Sequence, residues 1–316
     1  GLAASWNTGL IEEVGRIIGA ECRHNGVDLL LGPALNIKRS PLCGRNFEYY
    51  SEDPWLAGNI AAAFVRGLQS TGVGACLKHF ALNNMEKNRQ NSDSVCDRRT
   101  LHEIYLSAFE RAVRESKPWT VMCSYNKING TFASEHRYLM TEVLRNTWGF
   151  DGFVMTDWGA LNDRVEAVRA GVELEMPASG GVTDRELVAA VESGQLAEVE
   201  LDRAVERVLR IIDRRDRTQA AIPSPAVDLA DHHRFARQVA AECMVLLKNE
   251  GALLPLAADK TIAVIGPFAD RARVQGGGSS RVPCWRTDVP LEELRTLLPN
   301  VHHAPGCDAD AEHAAP

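Results

Sequence analysis

Polar side chains with catalytic potential follow several short apolar segments of this 316-residue sequence. The clearest is Asp157, which comes directly after the apolar run Phe153–Thr156 and before Trp158. A carboxylate beside an aromatic ring is typical of sites that act on sugars, because the ring can stack on the sugar and the carboxylate can attack an oxocarbenium-like carbon. Asp is also a favoured residue at helix N-termini, and spacing alone favours that structural interpretation.

Lys78 and His79 form a second pair with chemical potential, directly after the apolar run 75–77. Both side chains are good hydrogen-bond donors to sugar hydroxyls. Neighbouring residues in a strand point to opposite faces, but at a strand end both can turn towards one ligand. A hypothesis of a different class is that Lys78 forms a Schiff base, as in an aldolase, with His79 assisting.

Arg45 and Tyr125 complete the set of candidates. Arg45 lies three residues before Glu48 in a polar loop, and such a pair either binds a ligand or holds the loop through bidentate bonds. Tyr125 follows the apolar run 120–124 and is either an ordinary half-buried residue or a group that orients the Asp157 carboxylate. The residues alone leave both pairs of alternatives open.

The sequence predicts no metal and no cofactor. The histidine pairs at 232–233 and 302–303 lack the four-residue helical spacing of metal ligands, and no cysteines accompany them at zinc-finger spacing. The glycine-rich segment 276–280 lacks the Gly-Lys-Ser/Thr ending of a phosphate loop. We expect a mobile surface loop there instead.

Short apolar runs at 27–37, 75–82, 120–125, 152–156 and 171–176 alternate with amphipathic segments. Runs of this length that are apolar on both faces predict buried parallel strands, and their alternation with helices predicts an α/β fold. The candidate side chains all cluster just after strands. A (β/α)8 barrel builds its site from the loops at that end, whereas an open sheet gathers it mainly at one switch point. We therefore predict a TIM-type barrel.

The chain divides into three predicted regions. Residues 1–213 form the catalytic barrel, which has only five candidate strands and is therefore expected to lack its first strands. A charge run at 213–217 and two prolines at 223 and 225 predict a linker over 214–232. An amphipathic helix and an apolar strand after it predict that 233–316 begins a second α/β domain.

Composition excludes several classes of partner. The net charge of −7 argues against nucleic acid. No apolar run approaches the roughly 20 residues that span a bilayer, so we expect no membrane association. Eight scattered cysteines favour a reducing, cytoplasmic compartment. The first residue is Gly1 rather than Met, which is compatible with a signal peptide further upstream.

Ordered motifs extend over nearly the whole sequence. They are Leu31-Gly-Pro33, Gly44-Arg-Asn-Phe-Glu48, Lys78-His-Phe80, Met122-Cys-Ser-Tyr-Asn126, Val154-Met-Thr-Asp-Trp-Gly159 and Glu173-Leu-Glu-Met-Pro177, followed by Val245-Leu-Leu-Lys-Asn249, Ile262-Ala-Val-Ile-Gly-Pro267 and Gly276-Gly-Gly-Ser279. Any one of them is weakly specific, but the ordered set resembles glycoside hydrolase family 3, in its β-glucosidase branch. The N-acetylglucosamine branch is disfavoured, because Lys78-His-Phe80 is followed by Ala81-Leu-Asn-Asn84 and not by Pro-Gly-His-Gly.

The resemblance implies an exo-acting β-glucosidase that retains anomeric configuration, with Asp157 as nucleophile and a small carbohydrate as substrate. It assigns Arg45, Lys78, His79, Tyr125 and Trp158 to substrate binding. A β-xylosidase or another exo-glycosidase of the family is an alternative, as is a sugar-binding remnant without activity. The family's first strands and its acid/base Glu find no match, so we expect a sequence truncated at both ends. We expect the Glu beyond residue 316 and no turnover of cellobiose by residues 1–316 alone.

Overall fold

The computed structural model describes residues 1–275 and 277–307, which form two compact units. The first comprises Gly1–Asp228 and Arg234–Met244, and the second comprises Leu229–His233 and the described residues from Val245 onward. Gly276, which opens the predicted glycine-rich loop, and residues 308–316 of the predicted second domain lie outside the described residues.

The first unit is built around a parallel sheet. The strands of this unit are β1 (Leu29–Leu30), β2 (Gly74–Phe80), β3 (Asp93–Ser94), β4 (Thr120–Cys123), β5 (Lys127–Ile128), β6 (Thr131–Phe132) and β7 (Phe153–Thr156). The main sheet has the order β1-β2-β4-β7 with every pair parallel, and β3, β5 and β6 form a small second sheet. The predicted parallel α/β arrangement is thus confirmed at this level.

The main sheet differs from the prediction in three respects. The predicted strand over 27–37 is reduced to the two residues of β1. Over the described residues the sheet is open, with β1 and β7 at its edges, and no closed barrel is present. The predicted strand over 171–176 is reduced to one bridge between Leu174 and Met155. This segment instead bonds to β7 partly through side chains, since the hydroxyl of Thr156 accepts the N–H of Met176 at 2.8 Å.

Helices connect the strands in sequence order. They are α1 (Thr8–His24), α2 (Pro54–Gln69), α3 (Arg98–Thr100), α4 (Ser107–Ser116), α5 (Arg164–Ala170), α6 (Val182–Glu192), α7 (Glu198–Ala221), α8 (Leu229–Glu242) and α9 (Pro290–Leu297), with π-type helices at Leu101–Tyr105 and Tyr138–Thr147. Asp53 caps α2 by accepting the N–H of Trp55 at 2.8 Å, and Pro54 occupies the first turn, as the sequence predicts. None of the described helices has the length and apolar character needed to cross a membrane.

Helix α7 continues into the region predicted as a linker. The charge run at 213–217 is helical, because its charged side chains form ion pairs within α7 and with residues outside α7. Arg217 pairs with Asp213 one turn earlier, Arg214 with Asp151, and Arg215 with Asp28. The helix extends to Ala221. The boundaries of the two domains stay a prediction.

Both faces of the main sheet are buried, which is why its strands are largely apolar before their carboxyl ends. Leu77, Val121 and Val154 belong to a cluster that includes α2 and α4, whereas the alternating residues Met122 and Met155 pack in a second cluster that includes Ile211 of α7. Side chains within the strands are thereby committed to packing. Polar groups are free to meet a ligand only where the strands end.

Helices α1 and α2 pack closely at Gly67. A Cβ added there would lie 1.8 Å from the carbonyl oxygen of Glu12 on α1. We expect Gly67→Ala to lower the free energy of unfolding by about 1–3 kcal/mol, as overpacking does. The matched control is Gly9→Ala, where the nearest atom outside its own backbone is a side-chain oxygen at 3.5 Å. That helical substitution should be neutral or stabilising. Equal urea midpoints for the two variants would contradict the prediction.

The second unit contains one small parallel sheet within its described residues. Strand β8 (Ile262–Ile265) pairs with β9 (Val301–Ala304) in register from Ile262 opposite Val301 to Ile265 opposite Ala304. Helix α9 lies between these strands in sequence, and Pro290 occupies its first turn. This strand-helix-strand order agrees with an α/β domain.

Candidate active site

The predicted site residues meet at the carboxyl ends of β2, β4 and β7. Asp157 follows β7 directly, and its N–H donates to the carbonyl of Cys123, the last residue of β4, at 3.3 Å. Lys78 and His79 lie near the end of β2, and Tyr125 follows β4 by two residues. Neighbouring parallel strands bring these positions together because their carboxyl ends lie at one edge of the sheet.

Asp157 is buried, with 7% of its surface exposed. Its Oδ1 accepts the backbone N–H of Trp158 at 2.7 Å. Its Oδ2 lies 3.4 Å from Nε2 of His79 and 3.8 Å from the Arg45 guanidinium, yet has no hydrogen-bond partner among the described residues. Buried polar atoms are nearly always bonded, so an orphaned carboxylate oxygen among donors indicates an atom that faces a ligand.

The alternative interpretation of Asp157 as a helix cap is wrong. The next helix along the chain, α5, begins at Arg164, and Asp163 caps it by accepting the N–H of Glu166 at 2.9 Å. Asp157 is therefore not needed to stabilise a helix end. Its burial and its donor neighbours require another explanation.

Glu48 holds the two cations at the edge of the site. Its carboxylate accepts a hydrogen bond from Nε of Arg45 and lies 3.5 Å from Nζ of Lys78. All three side chains are only 17–21% exposed. Arg45 thus holds its loop and also reaches towards Asp157, so its two predicted roles are compatible in one geometry.

His79 is 1% exposed, and its backbone forms two hydrogen bonds with the side chain of Asn36, both of 2.8 Å. The register of β2 against β4 shifts between Leu77 and Phe80, and such irregularities re-aim side chains next to active sites. Burial, followed by the positive charges of Arg45, Lys78 and Arg89, holds the pKa of His79 well below 6.5.

The low pKa of His79 makes stability depend on pH. The unfolded imidazole binds a proton below about pH 6.5, whereas the folded one stays neutral, so this contribution is complete above that pH and is lost as pH falls. Between pH 7 and 5 we expect the wild type to lose more unfolding free energy than His79→Gln, with an upper limit of about 2 kcal/mol that is set by the proton bound to the unfolded imidazole alone. Urea titrations at both pH values measure this difference. Parallel pH curves for the two proteins would contradict it.

Tyr125 faces the carboxylate of Asp157. Burial, followed by the negative charge of Asp157, raises the pKa of Tyr125 to about 12. The guanidinium carbon of Arg89 lies 4.2 Å from the centroid of the Tyr125 ring. This cation–π contact places a further positive charge next to the predicted nucleophile.

Three residues that the sequence analysis did not select belong to the same network, namely Tyr49, Glu86 and Arg89. Glu86 accepts hydrogen bonds from Asn83 at 3.0 Å and from Arg89 at 2.7 Å. The Tyr49 hydroxyl lies 3.4 Å from Nδ1 of His79. The three-residue spacing of Asn83, Glu86 and Arg89 was a signal in the sequence, although nothing there linked it to Tyr49.

Trp158 lies at the exposed edge of the site, with 43% of its surface accessible. A cavity of about 120 Å³ adjoins Tyr125 and is also lined by Phe132 and the loop 159–162. A ring at the rim and open space beside it suit a ligand that is only partly enclosed. In residues 1–275 and 277–307 no three His, Cys, Asp or Glu side chains are grouped as metal ligands.

Comparisons with known proteins give matches to one family over most of the chain. Residues 1–211 match the family described as glycosyl hydrolase family 3 N terminal domain, and residues 244–315 match its C-terminal domain. Thermostable β-glucosidase B of Acetivibrio thermocellus is 54% identical over 300 residues, covering 93% of this chain and 39% of that protein. An exo-α-(1→6)-L-arabinopyranosidase of Bifidobacterium longum is 45% identical over 325 residues, covering 100% of this chain and 42% of that protein.

Solved structures show the same likeness. The crystal structure of a Bifidobacterium adolescentis β-glucosidase of this family aligns with a TM-score of 0.92 and 44% identity, over 99% of this chain and 46% of that one. β-Glucosidase 3B of Thermotoga neapolitana, in complex with α-D-glucose, aligns with a TM-score of 0.89 and 44% identity, over 95% of this chain and 43% of that one. The chain spans about two fifths of the length of the curated relatives, 39% and 42%.

Proposed function

Because this chain belongs to glycoside hydrolase family 3, we propose that it carries the sugar-binding site and the nucleophile of a retaining, exo-acting β-glucosidase. The observation that carries the proposal is the buried Oδ2 of Asp157, which has no hydrogen-bond partner within residues 1–275 and 277–307 but lies between the side chains of His79 and Arg45. The β-glucosidases among its relatives support glucose as the sugar.

The proposed chemistry takes place in two steps. Oδ2 of Asp157 forms a bond to the anomeric carbon while the glycosidic carbon–oxygen bond breaks, which gives a covalent glycosyl-enzyme. The departing oxygen takes up a proton from an acid unless it leaves as a stable anion. Water then attacks the same carbon and gives its proton to the conjugate base of that acid or to solvent, while the bond to Asp157 breaks and the original configuration is restored.

Arg45, Lys78 and His79 are proposed to hold the hydroxyls of the sugar. Glu48 keeps Arg45 and Lys78 in place, so their N–H groups are positioned before the sugar arrives. Tyr125 orients the nucleophile from its other side, and Trp158 flanks the sugar at the rim. The ion pair of Lys78 with Glu48 suits a hydrogen-bond donor rather than the amine nucleophile of a Schiff-base lyase.

We also propose that the four parallel strands belong to a (β/α)8-type barrel. Support comes from the strand ends, since Lys78 and His79 lie in the last residues of β2 and Tyr125 and Asp157 follow β4 and β7 at the same end of the sheet, as in barrel enzymes. A linker over 214–232 and a second domain over 233–316 remain parts of this proposal.

The test is covalent labelling with a 2-deoxy-2-fluoro-β-D-glucoside whose leaving group is 2,4-dinitrophenolate. This phenolate departs without a proton, so the experiment examines the nucleophile alone. Peptide mapping of the labelled chain should place the fluoroglucosyl group on Asp157. A label on another carboxylate would reject the assignment. In a separate experiment, borohydride reduction that attached the substrate to Lys78 would support the lyase alternative. Glucose binding without any labelling would indicate the sugar-binding remnant.

Lys78→Ala should slow this labelling strongly. Loss of a pre-organised donor that strengthens in the transition state costs about 2–4 kcal/mol, equivalent to a 30- to 1000-fold lower second-order rate constant. We expect comparable losses for Arg45→Ala and His79→Ala. Lys87→Ala is the control, because Lys87 is an exposed lysine in the loop after β2. A Lys78→Ala rate within a factor of three of the wild type would leave Lys78 only a structural role.

A second candidate is α-L-arabinopyranosidase activity, which the B. longum relative favours because it is aligned with the whole of this chain. The two sugars differ in the hydroxymethyl group, which arabinopyranose lacks, and in the C4 hydroxyl, which is axial in the α-L-arabinopyranoside and equatorial in the β-D-glucoside. Dinitrophenyl β-D-glucoside and dinitrophenyl α-L-arabinopyranoside should therefore be compared side by side. Faster release from the arabinoside would favour the second candidate.

A further inference from the structure

The imidazole of His79 lies between the hydroxyl of Tyr49 and the carboxylate of Asp157. Nδ1 is 3.4 Å from the Tyr49 oxygen, and Nε2 is 3.4 Å from Oδ2 of Asp157. The second contact is not aligned as a hydrogen bond, and both of its atoms lack another partner in the described part of the chain. A neutral imidazole has a single ring proton, so its tautomer decides whether Nε2 donates or accepts.

The carboxylate side of the ring favours a proton on Nε2. Asp157 can only accept hydrogen bonds through a carboxylate. With the proton on Nδ1, two acceptors would face each other across 3.4 Å in a buried site, which is electrostatically unfavourable. With the proton on Nε2, the ring presents a donor to Asp157 and to any sugar hydroxyl placed between them.

The other side of the ring then needs a donor, and three residues are arranged to supply it. Glu86 accepts from Nδ2 of Asn83 at 3.0 Å, which fixes the amide nitrogen on the side of the carboxylate. The same nitrogen donates to the Tyr49 oxygen at 3.1 Å. Tyr49 thereby receives one hydrogen bond and has its own proton to give.

The proton of Tyr49 has two acceptors within reach, the carbonyl of Asn83 at 3.2 Å and Nδ1 of His79 at 3.4 Å. Tyr49 is 2% exposed, and burial raises its pKa, so the hydroxyl stays protonated. A proton shared with the ring satisfies a buried nitrogen that otherwise has no donor. At the far end of this series of hydrogen bonds, Arg89 donates to the carboxylate of Glu86 at 2.7 Å.

We infer that the hydrogen-bonded series Glu86–Asn83–Tyr49 keeps His79 in the tautomer with the proton on Nε2. Tyr49 is then a positioning residue, which acts on the reaction through His79 and does not itself touch the sugar. The catalytic consequence rests on the proposed function. The tautomer does not, because it is a property of the chain without substrate.

The test is long-range ¹H–¹⁵N spectroscopy of the histidine rings in the whole chain, at neutral pH and without ligand. The spectrum distinguishes the two tautomers, and the His79→Gln variant identifies the signals of His79 among the nine histidines. We expect the wild type to show a protonated Nε2 and an unprotonated Nδ1. A protonated Nδ1 in the wild type would overturn the inference without any need for a variant.

Tyr49→Phe removes the proposed donor, and Tyr50→Phe is its matched control, since it makes the same change at the next residue. We expect Tyr49→Phe to shift His79 away from its single tautomer, whereas Tyr50→Phe leaves its signals unchanged. An unaltered tautomer in a folded Tyr49→Phe would show that Tyr49 does not set it. Failure of Asp157 labelling with the expected tautomer present would reject the proposed function but not this inference.

Discussion

Asp157→Ala is expected to abolish release of dinitrophenolate from a dinitrophenyl β-D-glucoside. The variant has no oxygen to form the glycosyl-enzyme, so the first chemical step has no nucleophile. Loss of a single stabilising donor in an enzyme costs about 10²–10³ in rate, and loss of the nucleophile should exceed about 10³-fold. The release of dinitrophenolate by residues 1–316 is measured from its absorbance, beginning with the first equivalent.

Azide provides the positive control for Asp157→Ala. A small anion fits the space of the missing carboxylate and attacks the anomeric carbon directly, giving a glycosyl azide of inverted configuration while dinitrophenolate departs. Azide should restore part of the rate in Asp157→Ala and leave Asp163→Ala unaffected, because Asp163 only caps α5. Undiminished release from Asp157→Ala without azide would show that another group attacks the sugar.

Glu173→Gln is expected to have the largest effect on stability. The Glu173 side chain is 0% exposed and binds Arg145 at 2.8 Å and Arg207 at 2.6 Å. It also accepts the N–H of Val154, in the strand that leads to Asp157, at 2.6 Å. Removing its charge leaves two guanidinium groups without their carboxylate in or near the core. Breaking a buried pair in this way costs about 3–5 kcal/mol.

The control is Glu206→Gln, on the same helix as Arg207. Glu206 pairs with Arg210 one turn along, and the two side chains are 65% and 47% exposed. An exposed pair of this kind contributes about 0.3–0.5 kcal/mol. Urea unfolding should therefore separate the two variants clearly. A Glu173→Gln variant as stable as Glu206→Gln would show that the arginines are satisfied without Glu173.

The fold could be predicted from the sequence where local pattern and tertiary packing agree. Three of the five predicted strands form over most of their length, because short apolar runs buried on both faces are stabilised in a covered parallel sheet, whereas the run 27–37 is a strand only at Leu29–Leu30. The segment 171–176 is an exception, since the N–H of Val154 donates to the side chain of Glu173 where a strand would offer a backbone carbonyl. The charge run of α7 is another, because its helical state depends on partners such as Asp28.

The sequence by itself determined which side chains gather at the site, namely Asp157, Lys78, His79 and Tyr125. It could do so because parallel strands bring their carboxyl ends to one edge, whatever the loops do. The tertiary structure alone decided what each of them does there. The unpaired oxygen of Asp157 and the contact of Tyr49 with His79, 30 residues apart, depend on burial and on long-range hydrogen bonds. Neither feature produces a periodic pattern in the sequence, because the burial of these groups and the distances between them are set only when the chain folds.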